Sequence, residues 1–235
     1  PWQGNQTATF AVFRLPSNPF LSLPKPKRSP VHLRWVMLYA SCAVVFSLLA
    51  FGLQAAWYGL LWPALALLWL AAVYGHADAA AWQKQASGKH TLALSLFALP
   101  LRLMYRANMA YWLRGKALSA QVTERIHVGS VLAVPDFHAV VDVSAEYPLA
   151  VMPSYYATIP MLDMVPADVA ALRAAADALH QMLQQQNQPV LVCCALGYSR
   201  SVAVVLVYLL RQRHAHDLQA ALKLLQQARP DMVVS

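Results

Sequence analysis

Charge is scarce in this chain: 12% of its 235 residues are Asp, Glu, Lys or Arg, while 59% are apolar. That balance excludes a single ordinary soluble domain, so part of the chain is expected to sit in lipid. Acids are almost missing from the first half. Residues 1–116 carry eleven Lys and Arg against one acid, Asp78, whereas residues 117–235 carry seven against nine. The net charge of +8 therefore belongs to the first half, where it flanks apolar segments, and the second half offers no basic face for nucleic acid. Cysteine is also rare. Of three, Cys42 lies in an apolar run and Cys193 and Cys194 are adjacent, which excludes a disulfide framework and points to a reducing compartment. The amino end has no basic stretch leading into a cleavage site, so no signal peptide is expected; the chain opens on Pro1, and its native start is expected upstream.

What is present divides the chain into four. Residues 1–32 are rich in Pro, Ser and Asn and end on Lys25, Lys27 and Arg28, as a basic segment near a membrane surface would. From Trp35 to Ala77 no Asp, Glu, Lys or Arg occurs. One helix of that length would reach roughly twice the hydrocarbon thickness, so residues 33–77 are expected to form a transmembrane hairpin. Its helices are expected over Trp35 to Phe51 and Ala55 to Tyr74, with a turn at Gly52-Leu53-Gln54 and Pro63 available as a kink. A helical hairpin buried in a soluble protein is the alternative. Arg34 before the hairpin and Lys84 and Lys89 after it set both ends on the cytoplasmic side of an inner or plasma membrane. Residues 78–116 carry Pro100, Arg102 and Arg106 within an apolar stretch, which suits a helix lying in the interface; a third crossing over 91–112 stays open.

After Lys116 the long apolar runs give way to short ones. Ile126 to Val128, Ala139 to Val143, Tyr156 to Ile159 and Val190 to Cys193 read as strands. Asp168 to Gln186, Ser201 to Arg211 and Asp217 to Ala228 read as helices, with Asp168 as an N-cap. Strands alternating with helices predict an α/β domain over residues 117–235 around a mixed central sheet.

The stretch Leu191-Val-Cys-Cys-Ala-Leu-Gly-Tyr-Ser-Arg-Ser201 joins the last strand to a helix. A loop over Ala195, Leu196, Gly197, Tyr198 and Ser199 can converge its N–H groups on one point, with the N-terminus of the next helix behind them. Such a cradle holds a dianionic oxyanion. The same field favours the thiolate of a cysteine at its floor, which makes Cys194 the candidate nucleophile. Arg200 can fork onto the oxygens of a transferring phosphoryl group, Gly197 permits a backbone closed to residues with a β-carbon, and Ser201 can hydrogen-bond the sulfur. An ordinary strand-to-helix turn with a buried cysteine is the plain alternative.

The pattern C-x5-R-S between Cys194 and Ser201 resembles the active loop of the cysteine-dependent protein phosphatases, in their dual-specificity branch. The likeness extends over nearly all of residues 120–235. Glu124 to Ser130 resembles the family's opening strand and Gly-Ser turn, Val140 to Glu146 its second strand, Ile159-Pro160-Met161-Leu162-Asp163 its acid loop, and Arg229-Pro230 its late Arg-Pro. The pair Glu146-Tyr147 resembles an acidic-tyrosine motif of lipid-directed relatives. The resemblance implies a three-layer domain, a cysteinyl-phosphate intermediate, Asp163 as general acid, and neither metal nor cofactor. It implies a phosphorylated protein or a phospholipid headgroup as substrate; the loop has no lysine, which suits a monophosphate ester. In one departure, Cys193 stands where the family carries His, and a thiol hydrogen-bonds more weakly. That leaves a phosphate-binding protein without turnover as the alternative reading. Oligomeric state stays open.

Overall fold

The computed structural model describes residues 30–52, 55–76, 78–212 and 214–233. The basic segment before Pro30 and the turn residues Leu53 and Gln54 lie outside the described residues. Helix α1 runs Pro30–Gly52; a 3₁₀ stretch, Ala55–Leu60, leads into α2, Leu61–His76. The second helix therefore begins later than its apolar run suggests. Pro63 lies in its first turn rather than at a kink, where a missing N–H leaves no intrahelical bond unmade. Small residues line the helix contact: Ala43, Ala50, Ala64, Ala66 and Ala71 are all buried. Their lack of bulk lets the two backbones come close. The outer faces are bare. Leu33, Met37, Val44, Val45, Leu48, Phe51, Trp62 and Leu65 are exposed although the stretches His32–Gly52 and Tyr58–His76 are each long and apolar enough to cross a membrane.

Helices α3 (Leu92–Phe97) and α4 (Leu99–Trp112) follow, with Pro100 in the first turn of α4. Among the described residues these two are too short to add a third candidate span. One face of α4 buries Leu101 and Met109, with Leu113 just beyond its end. Its other side exposes Leu103, Met104, Tyr111 and Trp112.

Five strands then make one mixed sheet in the order β1-β2-β5-β3-β4: β1 Ser119–Thr123, β2 Ile126–Ser130, β3 Ala139–Ser144, β4 Tyr155–Met161 and β5 Val190–Cys194. Only β1 is antiparallel to its neighbour. It was not expected from the sequence, because Ser119-Ala-Gln-Val-Thr123 is short, polar and only half-buried. The central strand β5 is buried at every residue, as a parallel strand covered on both faces must be. Helices α5 (Val169–Gln185), α6 (Arg200–Arg211) and α7 (Leu218–Ala228) cover one face, against Val190, Val192 and Cys194. Met109, Leu113, Val131 and Val134 cover the other, against Leu191 and Cys193. The segment before the sheet thus supplies part of the domain's second core.

Candidate active site

Strand β5 ends on Cys194, residues 195–199 form the loop, and Arg200 opens α6. Because side chains alternate along a strand, Cys193 and Cys194 point to opposite faces of the sheet. Gly197 has φ +77° and donates its N–H to Cys194 Sγ at 3.3 Å. A β-carbon there would sit 2.3 Å from the carbonyl carbon of Gly129, so loop and β2 meet glycine to glycine. Ser130 Oγ donates to the Ala195 carbonyl at 2.5 Å, tying down the start of the loop. From the far end of the chain, Arg229 donates to the carbonyl of Leu196 at 3.1 Å and to that of Ala117 at 3.0 Å, and lies 4.6 Å over the Tyr198 ring. Ser201 Oγ is 3.5 Å from Cys194 Sγ.

Arg200 is 4% exposed. Its guanidinium meets Glu146 through two bonds, Nη2 to Oε1 at 2.5 Å and Nη1 to Oε2 at 3.0 Å, and donates to the Met161 carbonyl at 2.8 Å. Asp163 Oδ1 lies 3.3 Å from Nη2. Arg200 Nε is buried and has no partner among the described residues. One donor of the guanidinium is thus uncommitted while the other two nitrogens are fixed. Burial acts to lift the Glu146 carboxyl, but the Arg200 charge and its hydrogen bonds outweigh it, so Glu146 is held below the usual glutamate value. For Asp163 burial wins over the Arg200 charge, with the Glu146 charge pushing the same way, and its carboxyl is raised. Two carboxylates on one arginine are thereby driven apart, one to stay ionised and one to hold its proton more readily.

The segment carrying Asp163 rests on the helical hairpin. Trp35 Nε1 of α1 donates to the Met164 carbonyl, and the Tyr74 hydroxyl of α2 donates to the Asp163 carbonyl, each at 3.1 Å. Leu162 is buried in the cluster that holds Tyr74 and Trp82, with Trp35, Tyr39 and Val165 packed against it. Met164 adopts φ +61°, the bend that turns the chain after the acid. Asp168 takes the N-cap position of α5 but makes no side-chain cap bond.

Beneath the loop lies a buried polar network. Lys84 donates to Asp142 Oδ2 at 2.6 Å, to the Ser144 carbonyl at 2.7 Å and to Ser144 Oγ at 3.0 Å. The Lys84 and Asp142 side chains are wholly buried, and Tyr156 donates a further bond to Asp142 at 3.0 Å. Asp142 pairs in register with Cys193. Burial, helped by the Asp142 charge, keeps the Cys193 thiol well above its usual value, so it is a neutral thiol. Lys84, expected as a charge at the membrane surface, instead lies inside the domain. Its three acceptors explain this, since a buried ammonium is tolerated only when paired and hydrogen-bonded.

The structure gathers the sequence-predicted residues Cys194, Gly197, Arg200 and Ser201 around one loop and brings Asp163 to Arg200. Sequence reasoning missed Glu146 as the partner of Arg200, Lys84 as the partner of Asp142, and Trp35 and Tyr74 as holders of the acid segment. Only Glu146 left a signal, as half of its acidic-tyrosine pair.

Residues 121–235 match the family model described as dual specificity phosphatase, catalytic domain. The second half of the chain belongs to that family. It is a cysteine-based protein phosphatase domain, a hydrolase by class. Among solved structures, human DUSP28 is similar at 26% identity over 51% of this chain and 86% of its own, with a TM-score of 0.44. Tk-PTP in its active form is similar at 21% identity over 49% of this chain and 87% of its own, with a TM-score of 0.43. PTPMT1 in complex with PI(5)P is similar at 18% identity over 51% and 88%, with a TM-score of 0.41. No curated protein matches the chain.

Proposed function

We propose that this dual-specificity phosphatase domain is anchored to a membrane by the α1–α2 hairpin and hydrolyses phosphate monoesters of a phosphoprotein or a phospholipid headgroup. The observation that carries the reading is the cysteine–arginine loop with its companion acid: Gly197 N–H and Ser201 Oγ on the Cys194 sulfur, and Arg200 fixed by Glu146 with Nε free and Asp163 alongside. The Cys194 thiolate attacks phosphorus, and the ester P–O bond breaks as Asp163 gives its proton to the leaving oxygen. Arg200 and the N–H groups of residues 195–199 bind the phosphoryl oxygens as charge gathers on them. Water then attacks the cysteinyl phosphate while the Asp163 carboxylate takes its proton. The S–P bond breaks, Ser201 hydrogen-bonds the departing thiolate, and inorganic phosphate is released.

Membrane anchoring is supported by the two apolar stretches and by the large side chains they leave bare. The domains run 33–77 for the hairpin, 78–116 for the juxtamembrane segment and 117–235 for the phosphatase domain, with the catalytic side facing the cytoplasm. The full chain in detergent or nanodiscs is expected to hydrolyse a soluble aryl phosphate in the presence of chelator. Cys194→Ser should abolish that hydrolysis; absence of turnover in the wild type across the acidic to neutral range would instead establish a phosphate-binding protein without catalysis.

A further inference from the structure

A cavity of ≈ 330 Å³ lies between α4, the 3₁₀ turn Val131–Asp136 and the segment after β3. Arg102 and Arg106 stand one turn apart on its α4 wall. Among the described residues neither side chain has an ion pair or a hydrogen bond. Glu146 also lines the cavity, but both of its oxygens are taken by Arg200, so the two arginines are the uncompensated charges of the cavity. The remaining wall is apolar, and Leu132 and Val151, both cavity residues, are more than half exposed. Two cations with an apolar rim fit an anionic amphiphile better than a free anion or a neutral lipid. The same helix bares Leu103, Met104, Tyr111 and Trp112 on its other side, an arrangement suited to lying at a bilayer surface.

We propose that this cavity binds the phosphodiester headgroup of an anionic phospholipid, with Arg102 and Arg106 on the phosphate and the lipid's apolar part over Leu132 and Val151. The proposal rests on the membrane-anchored reading and narrows it: the site is built for a lipid and not for a phosphopeptide. The bound phosphodiester belongs either to the substrate lipid itself or to a neighbouring lipid.

The full chain in nanodiscs tests this with three substrates: a soluble aryl phosphate, a phospholipid carrying a phosphodiester and a terminal phosphate monoester, and a phosphotyrosine peptide. In Arg102→Gln/Arg106→Gln the ratio of lipid to aryl-phosphate kcat/KM is expected to fall at least about tenfold if the substrate lipid is the ligand, the scale of losing charged hydrogen bonds. If a neighbouring lipid is the ligand, aryl-phosphate turnover depends on anionic phospholipid in the disc, and the double variant loses that dependence. A control that removes two exposed charges elsewhere, Arg173→Gln/Lys223→Gln, should do neither, and Arg102→Lys/Arg106→Lys should recover part of the effect. A fall in the peptide ratio alone, the same loss in the control, or an unchanged lipid ratio together with no loss of anionic-lipid dependence overturns the proposal. Native mass spectrometry separates this from failure of the enzyme reading. Even without turnover, the wild type should retain one phosphatidylglycerol per chain in preference to phosphatidylcholine, and the double variant should not; equal retention overturns the site.

Discussion

At the scale of the residue, the proposed chemistry turns on two carboxylates that share one guanidinium and are pushed in opposite directions. Asp163 is raised by burial, against the pull of Arg200, with the Glu146 charge adding to the rise, so it holds its proton more readily than an ordinary aspartate. With a poor leaving group, kcat should hold at pH values above the ordinary aspartate range and decline only as Asp163 loses its proton. In Asp163→Asn the alkaline limb should vanish, with kcat lower by about 10²-fold or more. Glu146 is lowered by the Arg200 pair despite its burial. A carboxylate with a depressed folded-state pKa contributes stability above its unfolded value and loses it as pH falls through the folded one. Removing one partner of a buried pair costs about 3–5 kcal/mol. Urea unfolding of Glu146→Gln should therefore show a large deficit at neutral pH, and the gap to the wild type should narrow as pH drops below the ordinary glutamate value of 4.5.

At the scale of the element, the phosphatase domain and the segment before it are stitched together more tightly than their sequences suggest. Lys84 reaches Asp142 and Ser144, Leu149 N–H donates to the Gly88 carbonyl at 2.8 Å, and His90 Nε2 meets the Ala145 carbonyl at 2.9 Å. Lys84→Met should lower stability by about 3–5 kcal/mol, because it strands a buried carboxylate. Thermal unfolding checks this, and adding Asp142→Asn should return part of the loss. The hairpin reaches the acid segment through Trp35 and Tyr74. Tyr74→Phe should slow hydrolysis of an alkyl phosphate several-fold more than that of a nitrophenyl phosphate, since a net hydrogen bond of about 1 kcal/mol sets that scale. Equal slowing of both would mean the hydroxyl does not act through the acid.

The same contacts mark how far the sequence could be read. Strands β2 to β5 and helices α5 to α7 were legible as apolar runs at period two or 3.6, and Cys194, Arg200 and Ser201 followed from their spacing on a strand–loop–helix turn. Strand β1 was hidden because it pairs at an edge with half-buried polar residues. Lys84 was hidden because a lysine beside an apolar hairpin looks the same whether it meets water or a buried aspartate 58 residues away. Glu146 was hidden as a partner for the same reason: its contact with Arg200 spans 54 residues.

At the scale of the whole molecule, the proposed anchoring of the phosphatase domain by the two apolar stretches has a direct topological test. A cysteine introduced at Gln54 should react with an impermeant maleimide only from outside the cell, and one introduced at Arg114 only after the membrane is opened. The reverse pattern would put the domain on the outer side.

The hydrogen bonds from α1 and α2 to the acid segment end on main-chain carbonyls, so they report where the helices stand and nothing about which residues they touch. Helices in a thinner bilayer tilt to hide their apolar length. On the proposed anchoring, such a tilt would pull on the main chain at Asp163 and Met164 together, and membrane thickness would become a variable of the proposed proton-transfer step.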